Sequence, residues 1–205
     1  MGGLPISVDI GIDVGLLKSE IKKTYASVSQ EPGKDFIFPT GLAWAQDLGY
    51  PEELSQVPDF VVESFSGVAN PWSLGRIESG AHVLDLGSGA GTDSLVAALM
   101  VGPTGSVTGI DMTPEMSEQA RRGASALGVS NVTFVEGEIE ELPFDDGRFD
   151  VVISNGVIDL IPDKETAFAS IYRVLRPGGR IQFADVTIQR PVSEEGKRKI
   201  ELWTA

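Results

Sequence analysis

The sequence predicts an α/β fold in which helices cover both faces of one doubly wound parallel sheet. Five apolar runs of strand length follow residue 80, at Val83–Leu86, Val107–Ile110, Val132–Val135, Val151–Ile153 and Ile181–Val186. Segments with helical patterning separate these runs, and strands that alternate with helices form parallel sheets. With 205 residues, of which 41% are hydrophobic, the chain is long enough for one packed domain.

Two of the helices between the strands have clear start and end signals. Thr113-Pro114-Glu115 supplies a capping hydroxyl, a proline at the first helical position and an acid beside the positive helix end. That helix is expected to end at Gly128. Asp163 is expected to cap a helix over Lys164–Leu175, which Pro177-Gly178-Gly179 ends.

The first 75 residues differ from the rest, because they hold scattered proline, glycine and aromatic residues. Helical spacing of apolar side chains predicts helices over Leu16–Ser27 and Leu42–Leu48. We therefore expect a small N-terminal helical lid over residues 1–75 and a ligand-binding core over residues 76–205, together in one structural domain.

The composition excludes several kinds of partner. A formal net charge of -14 repels nucleic-acid phosphates and anionic membrane surfaces, so neither is expected as a partner. The chain has no cysteine and one histidine, His82, so we predict no disulfide, no cysteine nucleophile and no metal site. No signal sequence opens the chain, and no apolar run reaches the roughly 18 residues of a membrane helix, so we expect a cytoplasmic protein.

A glycine-rich turn follows the first strand, in the run Val83-Leu84-Asp85-Leu86-Gly87-Ser88-Gly89-Ala90-Gly91. A strand before it, a helix after it and an acid, Asp111, at the end of the second strand predict a nucleotide-type ligand. Dinucleotides favour a last glycine where Thr92 stands, and Asp85 would repel a pyrophosphate but attract an amino group. The turn therefore favours S-adenosylmethionine, a nucleoside that carries an amino acid and no phosphate.

Acidic and amide side chains stand at or just past the ends of four predicted strands: Asp85, Asp111, Glu138 and Asn155. Ligands of doubly wound sheets bind at the carboxyl ends of the strands. We therefore expect these four residues to converge on one crevice.

Four segments in this order resemble the motifs of the class I S-adenosylmethionine-dependent methyltransferases. They are Val83–Gly91 with Asp111, Gly137–Phe144, Phe149–Val152 and Leu175–Gly179. The resemblance implies a Rossmann-like sheet of order 3-2-1-4-5, S-adenosylmethionine as methyl donor, and S-adenosylhomocysteine as product. The core over residues 76–205 would hold the donor.

The resemblance also implies the roles of individual residues. The cofactor-binding candidates are Asp85, Gly87, Ser88, Gly89, Gly91, Asp111, Met112, Gly137, Glu138, Ile139 and Asn155. Asp85 is expected near the methionine amino group, Asp111 at the ribose hydroxyls, and Met112 on an adenine face. Glu138 and Ile139 would flank the adenine edge. The candidates for a catalytic role are Asn155, which would face the reactive methyl, Asp159 and Tyr25.

Within that family the segments Leu48–Pro51, Asn70-Pro71 and Ser154–Leu160 resemble the arsenite methyltransferase branch. The branch has cysteines where this chain has Val68 and Gly156, and arsenic(III) needs soft thiolate ligands. We therefore expect a small organic nucleophile as methyl acceptor. The alternatives are a quinone-type carbon methyltransferase, a non-catalytic S-adenosylmethionine-binding protein and, more distantly, a dinucleotide-dependent oxidoreductase.

Relatives in the family continue with a further helix and an antiparallel hairpin after the segment that this chain ends on. Without that hairpin the strand Ile181–Val186 would lie at the edge of the sheet. Uncovered edges pair with other chains. A truncated sequence, a swapped segment or a homodimer that covers this edge would each account for the pattern.

Overall fold

The structure is a computed structural model that describes residues 13–31, 34, 36–193, 196, 199–200 and 203. Its helices are α1 (Val14–Gln30), α2 (Gly41–Asp47), α3 (Asp59–Val62), α4 (Thr92–Val101), α5 (Pro114–Leu127) and α6 (Lys164–Val174). Within the described residues, no helix is both long enough and apolar enough to cross a membrane. The predicted ends of α5 are confirmed, since it begins at Pro114 and Gly128 follows it in the left-handed region with φ 75°. The Thr113 hydroxyl, however, makes no capping hydrogen bond.

Five parallel strands form one sheet: β1 (His82–Leu86), β2 (Ser106–Asp111), β3 (Val132–Glu136), β4 (Phe149–Asn155) and β5 (Leu175–Ala184). Their order is β3-β2-β1-β4-β5, so the predicted order 3-2-1-4-5 is confirmed. The order reverses at β1, which pairs with β2 on one side and with β4 on the other. The carboxyl end of β1 is therefore the place where a doubly wound sheet opens a crevice.

Hydrophobic clusters pack on both faces of the sheet because successive side chains of a strand point to opposite faces. In β1 the side chain of Val83 joins one cluster, and those of Leu84 and Leu86 join the other. The first cluster also contains Val28 and Trp72 from the N-terminal segment. This segment therefore shares a core with the sheet, and the boundary near residue 75 stays a prediction.

The last strand differs from its predicted range. We expected a helix through Leu175 and a strand from Ile181 to Val186, but β5 begins at Leu175 and ends at Ala184. Pro177 is tolerated because β5 lies at the sheet edge, where a missing N–H leaves no partner strand unpaired. Gly178, with φ 81°, lies in the stretch where the pairing with β4 shifts register. The expectation that this strand is an edge is correct for the described residues.

Candidate functional site

A cavity of about 1050 Å³, including its open mouth, lies at the carboxyl edge of the sheet. The ends of β1, β2 and β4 form its floor, and α1 packs across it with Lys18, Ile21 and Tyr25. The four residues expected to converge line this cavity: Asp85, Asp111, Glu138 and Asn155. Ser88, Met112, Gly137 and Ile139 also line it.

The glycines of the turn after β1 serve different purposes. Gly89, with φ 51°, faces open space in the cavity, and a side chain there would meet no atom within 4 Å. Gly87, with φ 62°, lies under Val157, whose Cγ2 is 2.4 Å from where a Cβ would stand. Gly91 does not line the cavity. A Cβ at Gly91 would stand 2.9 Å from the Cβ of Ala120 in α5, so this glycine permits helix packing rather than ligand approach.

Asp111 at the end of β2 accepts a hydrogen bond from the backbone of the glycine turn. Its Oδ2 accepts a hydrogen bond from the N–H of Gly89 at 2.9 Å, and its Oδ1 accepts one from Thr113 at 2.8 Å. Burial raises the pKa of this carboxyl, and the backbone N–H groups oppose that shift. Each oxygen still has a free lone pair, because a carboxylate oxygen accepts two hydrogen bonds. The geometry thus suits a pair of vicinal hydroxyls.

Asp85 in β1 is a carboxyl that is 2% exposed and that lines the cavity. The hydroxyl of Ser94 in α4 donates to its Oδ2 at 2.6 Å. Burial, followed by the charge of Asp93, raises the pKa of Asp85 well above the usual range of aspartate. A cationic group bound beside this carboxyl would favour its charged form and so oppose the rise in its pKa.

Asp93 in the first turn of α4 also lines the cavity, and the sequence analysis did not identify it. The hydroxyl of Tyr50 donates to its Oδ1 at 2.8 Å, and the amide of Asn155 donates to its Oδ2 at 3.1 Å. Burial raises its pKa to about 6, and the hydrogen bonds from Tyr50 and Asn155 limit the rise. One signal in the sequence pointed to it, namely an acid two residues after the glycine turn.

The amide of Asn155 is fully engaged by the protein. Its oxygen accepts from the N–H groups of Val68 and Ala69, at 2.9 and 3.3 Å. Its nitrogen donates to the Tyr50 hydroxyl at 2.8 Å and to the Ala69 carbonyl at 3.0 Å, in addition to Asp93. Asn155 lines the cavity, but these bonds leave its amide no free donor. Its position ties the N-terminal segment to β4.

The α1 helix is joined to the far end of the cavity by an ion pair. Lys18 Nζ lies 2.7 Å from Glu138 Oε2 and 3.0 Å from Glu140 Oε1. Glu138, the residue expected at the adenine edge, therefore has a cationic partner of its own. Within the described part of the chain, Lys18 is the single basic residue on the cavity wall, against five acids. These acids are Asp85, Asp93, Asp111, Glu138 and Glu140.

The two remaining catalytic candidates lie in different places. Tyr25 lines the cavity, and its hydroxyl has no hydrogen-bond partner among the described residues. Burial, then the charges of Asp159 and Asp111, raises the pKa of Tyr25, so its phenol stays protonated. Asp159 lies outside the cavity wall, beside Asp185. Burial and the Asp185 carboxylate raise the pKa of Asp159 to about 7.

Val68 and Gly156, the positions at which the resemblance implies cysteines in the arsenite branch, lie next to each other in space. A Cβ at Gly156, whose φ is 72°, would stand 2.9 Å from Cγ1 of Val68. The structure therefore places an isopropyl group against a bare backbone at this point of the cavity wall. Neither residue supplies a ligand for a soft metal or metalloid.

A family model described as a methyltransferase domain matches residues 77–204. An arsenite methyltransferase of Halobacterium salinarum is 40% identical over 191 residues, which are 91% of this chain and 44% of that protein. A ubiquinone/menaquinone biosynthesis C-methyltransferase of Psychromonas ingrahamii is 42% identical over 106 residues, 51% of this chain and 42% of that protein. The chain thus spans less than half the length of these curated relatives.

A solved structure with a similar fold is that of an arsenic(III) S-adenosylmethionine methyltransferase from Chlamydomonas reinhardtii. It superimposes with a TM-score of 0.60 at 40% sequence identity. The match covers 77% of this chain and 53% of that one.

Proposed function

We propose, because this chain belongs to the class I S-adenosylmethionine-dependent methyltransferases, that it transfers a methyl group to a small organic nucleophile. The observation that carries the proposal is the pairing of Asp111 with the backbone of Gly89 over an open, acid-lined cavity. The chain has no cysteine, and the resemblance to the arsenite branch implies that Val68 and Gly156 stand where that branch has thiols. An organic acceptor therefore fits better than arsenite.

The described residues fit S-adenosylmethionine. Asp111 has lone pairs free for two ribose hydroxyls, and Gly89 leaves room for a ligand against the backbone. The Ser88 hydroxyl is buried without a hydrogen-bond partner among the described residues, so it is available to a ligand. Asp85 would attract the amino group, and Met112 and Ile139 would pack on the adenine. When bound, the donor supplies a methyl group that its sulfonium has already activated.

We propose that Tyr25 orients the acceptor, and that Asp159 acts on the acceptor only through its effect on Tyr25. Methyl transfer needs the nucleophile in line with the methyl and sulfur, and water kept out. The α1 helix supplies that cover, and the Tyr25 hydroxyl is a protonated donor without a partner among the described residues. The charges of Asp159 and Asp185 help to keep it protonated. Asp159 is therefore a positioning residue in this proposal.

Removal of the two groups tests these roles. We expect Tyr25→Phe to raise KM for the acceptor about tenfold while donor affinity stays unchanged, because one hydrogen bond is lost. Asp159→Asn should change the pH profile of transfer near pH 7, where Asp159 titrates, with little change in donor affinity. Equal losses of donor and acceptor affinity in Tyr25→Phe would show that the hydroxyl is structural.

Ligand-induced stabilisation tests the proposed function itself. A ligand present at 100 times its Kd stabilises the native state by about 2.7 kcal/mol, which raises Tm by roughly 5–10 °C for a chain of this size. We expect S-adenosylmethionine and S-adenosylhomocysteine to do so, and NAD to have no effect. Transfer of a labelled methyl is then measured over a panel of oxygen, nitrogen and carbon nucleophiles, with arsenite included. Stabilisation by NAD alone would refute the proposal.

A carbon acceptor of the quinone-precursor kind is the second candidate. It is supported by the 42% identity to the C-methyltransferase over 106 residues. Such an acceptor loses a proton, and the Asp159–Asp185 pair, with one pKa of about 7, is a proton acceptor near the cavity. Transfer confined to phenolic or enolic carbons in the panel would favour this candidate. Binding of the donor without any transfer would favour a non-catalytic protein.

We further propose a cytoplasmic homodimer that does not bind nucleic acid. The edge position of β5 supports the dimer, and the net charge of -14 argues against nucleic acid. Sedimentation of the purified chain, with and without duplex DNA, and cell fractionation test the three points.

A further inference from the structure

We propose that Asp93 makes the cavity prefer the cationic methyl donor over its neutral product, by placing a buried carboxylate where the sulfonium lies. The inference rests on the proposed function, since it assumes that S-adenosylmethionine enters this cavity. Donor and product differ in one methyl group and one positive charge. Groups near the sulfur must distinguish them, because their amino-acid and nucleoside ends are the same, and a carboxylate there would respond to the difference in charge.

The position of Asp93 along the cavity supports this assignment. Glu138 and Glu140 mark one end of the cavity, and Lys18 neutralises part of their charge. Asp93 lies at the other end, past the glycine turn, on the first turn of α4. Asp111 marks the ribose position between these ends. The sulfur of the ligand follows the ribose, so it lies on the side of Asp93 rather than on the side of Glu138.

Hydrogen bonds hold the Asp93 carboxylate in place. Tyr50 and Asn155 donate to its two oxygens at 2.8 and 3.1 Å, and both are uncharged at neutral pH. Asp93 is 8% exposed, and no basic side chain among the described residues bonds to it. Its charge is therefore oriented but not neutralised. A buried carboxylate in this state is attracted to a cation far more strongly than one in water.

Preference for the donor has a mechanistic use. The sulfur loses its charge when the carbon–sulfur bond breaks and the methyl forms a bond to the acceptor. The attraction to Asp93 then ends, and the product leaves more easily. A cavity without this charge would distinguish donor from product less.

The test measures affinities rather than turnover. Calorimetry gives the Kd of S-adenosylmethionine, of S-adenosylhomocysteine, and of an analogue with a protonated amine in place of the methylsulfonium. We expect Asp93→Asn to reduce the preference for the two cations over S-adenosylhomocysteine by about tenfold or more at pH 8. Glu140→Gln is the matched control, because it removes one cavity charge at the other end. It should change all three affinities alike.

A pH titration of the wild-type protein, with Asp93→Asn as its control, provides a second test. Below pH 6 Asp93 takes up a proton, so the preference for cations should decline between pH 8 and pH 5. The decline should be smaller in Asp93→Asn, where Asp85 is the remaining buried carboxyl of the pair. The groups that face Asp93 are Tyr50, Trp72, Asp85 and Asn155. Tyr50 and Asp85 are the titratable ones, and burial raises the pKa of both.

Each outcome separates this inference from the proposed function. If no adenosyl ligand binds the wild-type chain, the proposed function fails. If all ligands bind and Asp93→Asn weakens them by the same factor, Asp93 holds the shared amino group and the inference is wrong. An affinity ratio that Asp93→Asn leaves unchanged, together with a flat pH profile in the wild type, also overturns it.

Discussion

Replacement of Asn155 by aspartate tests whether its amide is the tie between the N-terminal segment and the sheet. The change keeps an acceptor for the N–H groups of Val68 and Ala69. It removes the donors to Tyr50, Ala69 and Asp93, and it sets a second carboxyl 3.1 Å from Asp93. A lost hydrogen bond to a charged group costs about 1.5–3 kcal/mol.

The new pair of carboxyls adds a repulsive contribution. Two unit charges 4 Å apart repel by about 4 kcal/mol at an effective dielectric constant of 20, and uptake of one proton by the pair limits this cost. We therefore expect Asn155→Asp to lower the free energy of unfolding by roughly 3 kcal/mol at pH 8. For a chain of this size the fall in Tm is about 6–12 °C.

The sign of the pH dependence follows from the raised pKa values. The folded pair holds a proton that the unfolded chain, with ordinary aspartate pKa values, releases, so unfolding becomes easier as pH rises. Asp93 already titrates at about pH 6 in the wild type, and a second acid raises the pair further. The loss in free energy of unfolding caused by Asn155→Asp should thus become smaller towards pH 5.5, where one carboxyl is protonated and donates a hydrogen bond.

Urea unfolding of the wild type, Asn155→Asp and Asn155→Ala at pH 5.5 and pH 8 measures the effect. Asn155→Ala loses the same donors but adds no charge, so its loss in free energy of unfolding should depend less on pH. A deficit of Asn155→Asp below about 1 kcal/mol at pH 8, or one that is equal at both pH values, would refute the reasoning.

Two further predictions concern the glycine turn and the lid. Gly91→Ala should destabilise the fold by about 2–4 kcal/mol in thermal unfolding, because of φ 94° and the close Cβ of Ala120, whereas Gly89→Ala should cost less stability but weaken donor binding. The reverse order of the two stabilities would contradict this. Lys18→Met removes the ion pair between α1 and Glu138, so we expect the donor to dissociate severalfold faster from the variant than from the wild type at low salt. In 1 M salt the ion pair of the wild type is screened, so the two stopped-flow rates should become similar. Equal dissociation rates at low salt would show that the ion pair does not hold the lid.

Much of the sheet could be predicted because its signals are local. Each of the first four strands contains its apolar run, with ends that differ by at most two residues. The predicted helix over Leu16–Ser27 is part of α1, and Leu42–Leu48 overlaps α2 closely. The fifth strand was mispredicted because Pro177-Gly178-Gly179 normally interrupts a strand. Its position at the edge of the sheet, a tertiary property, allows the interruption.

The residues missed in the cavity depend on contacts that are distant in sequence. Asp93 is held by Asn155 across 62 positions, Tyr50 meets Asn155 across 105, and Lys18 meets Glu138 across 120. No local pattern of residue types marks such pairs. The glycine turn and Asp111 were identified because their spacing is a property of one strand, one turn and the next strand.

Hydrogen-bonding capacity, rather than position alone, decides which side chain of the cavity is free to recognise an acceptor. Asn155 and Tyr25 both line the wall, and sequence reasoning gave both a catalytic role. An amide has two N–H donors, and in Asn155 both the donor nitrogen and the oxygen already bond to the protein. The Tyr25 hydroxyl has no such bond among the described residues, and its raised pKa keeps its proton in place. We therefore propose Tyr25, rather than Asn155, for acceptor recognition, while Asn155 fixes the wall against which Asp93 is held.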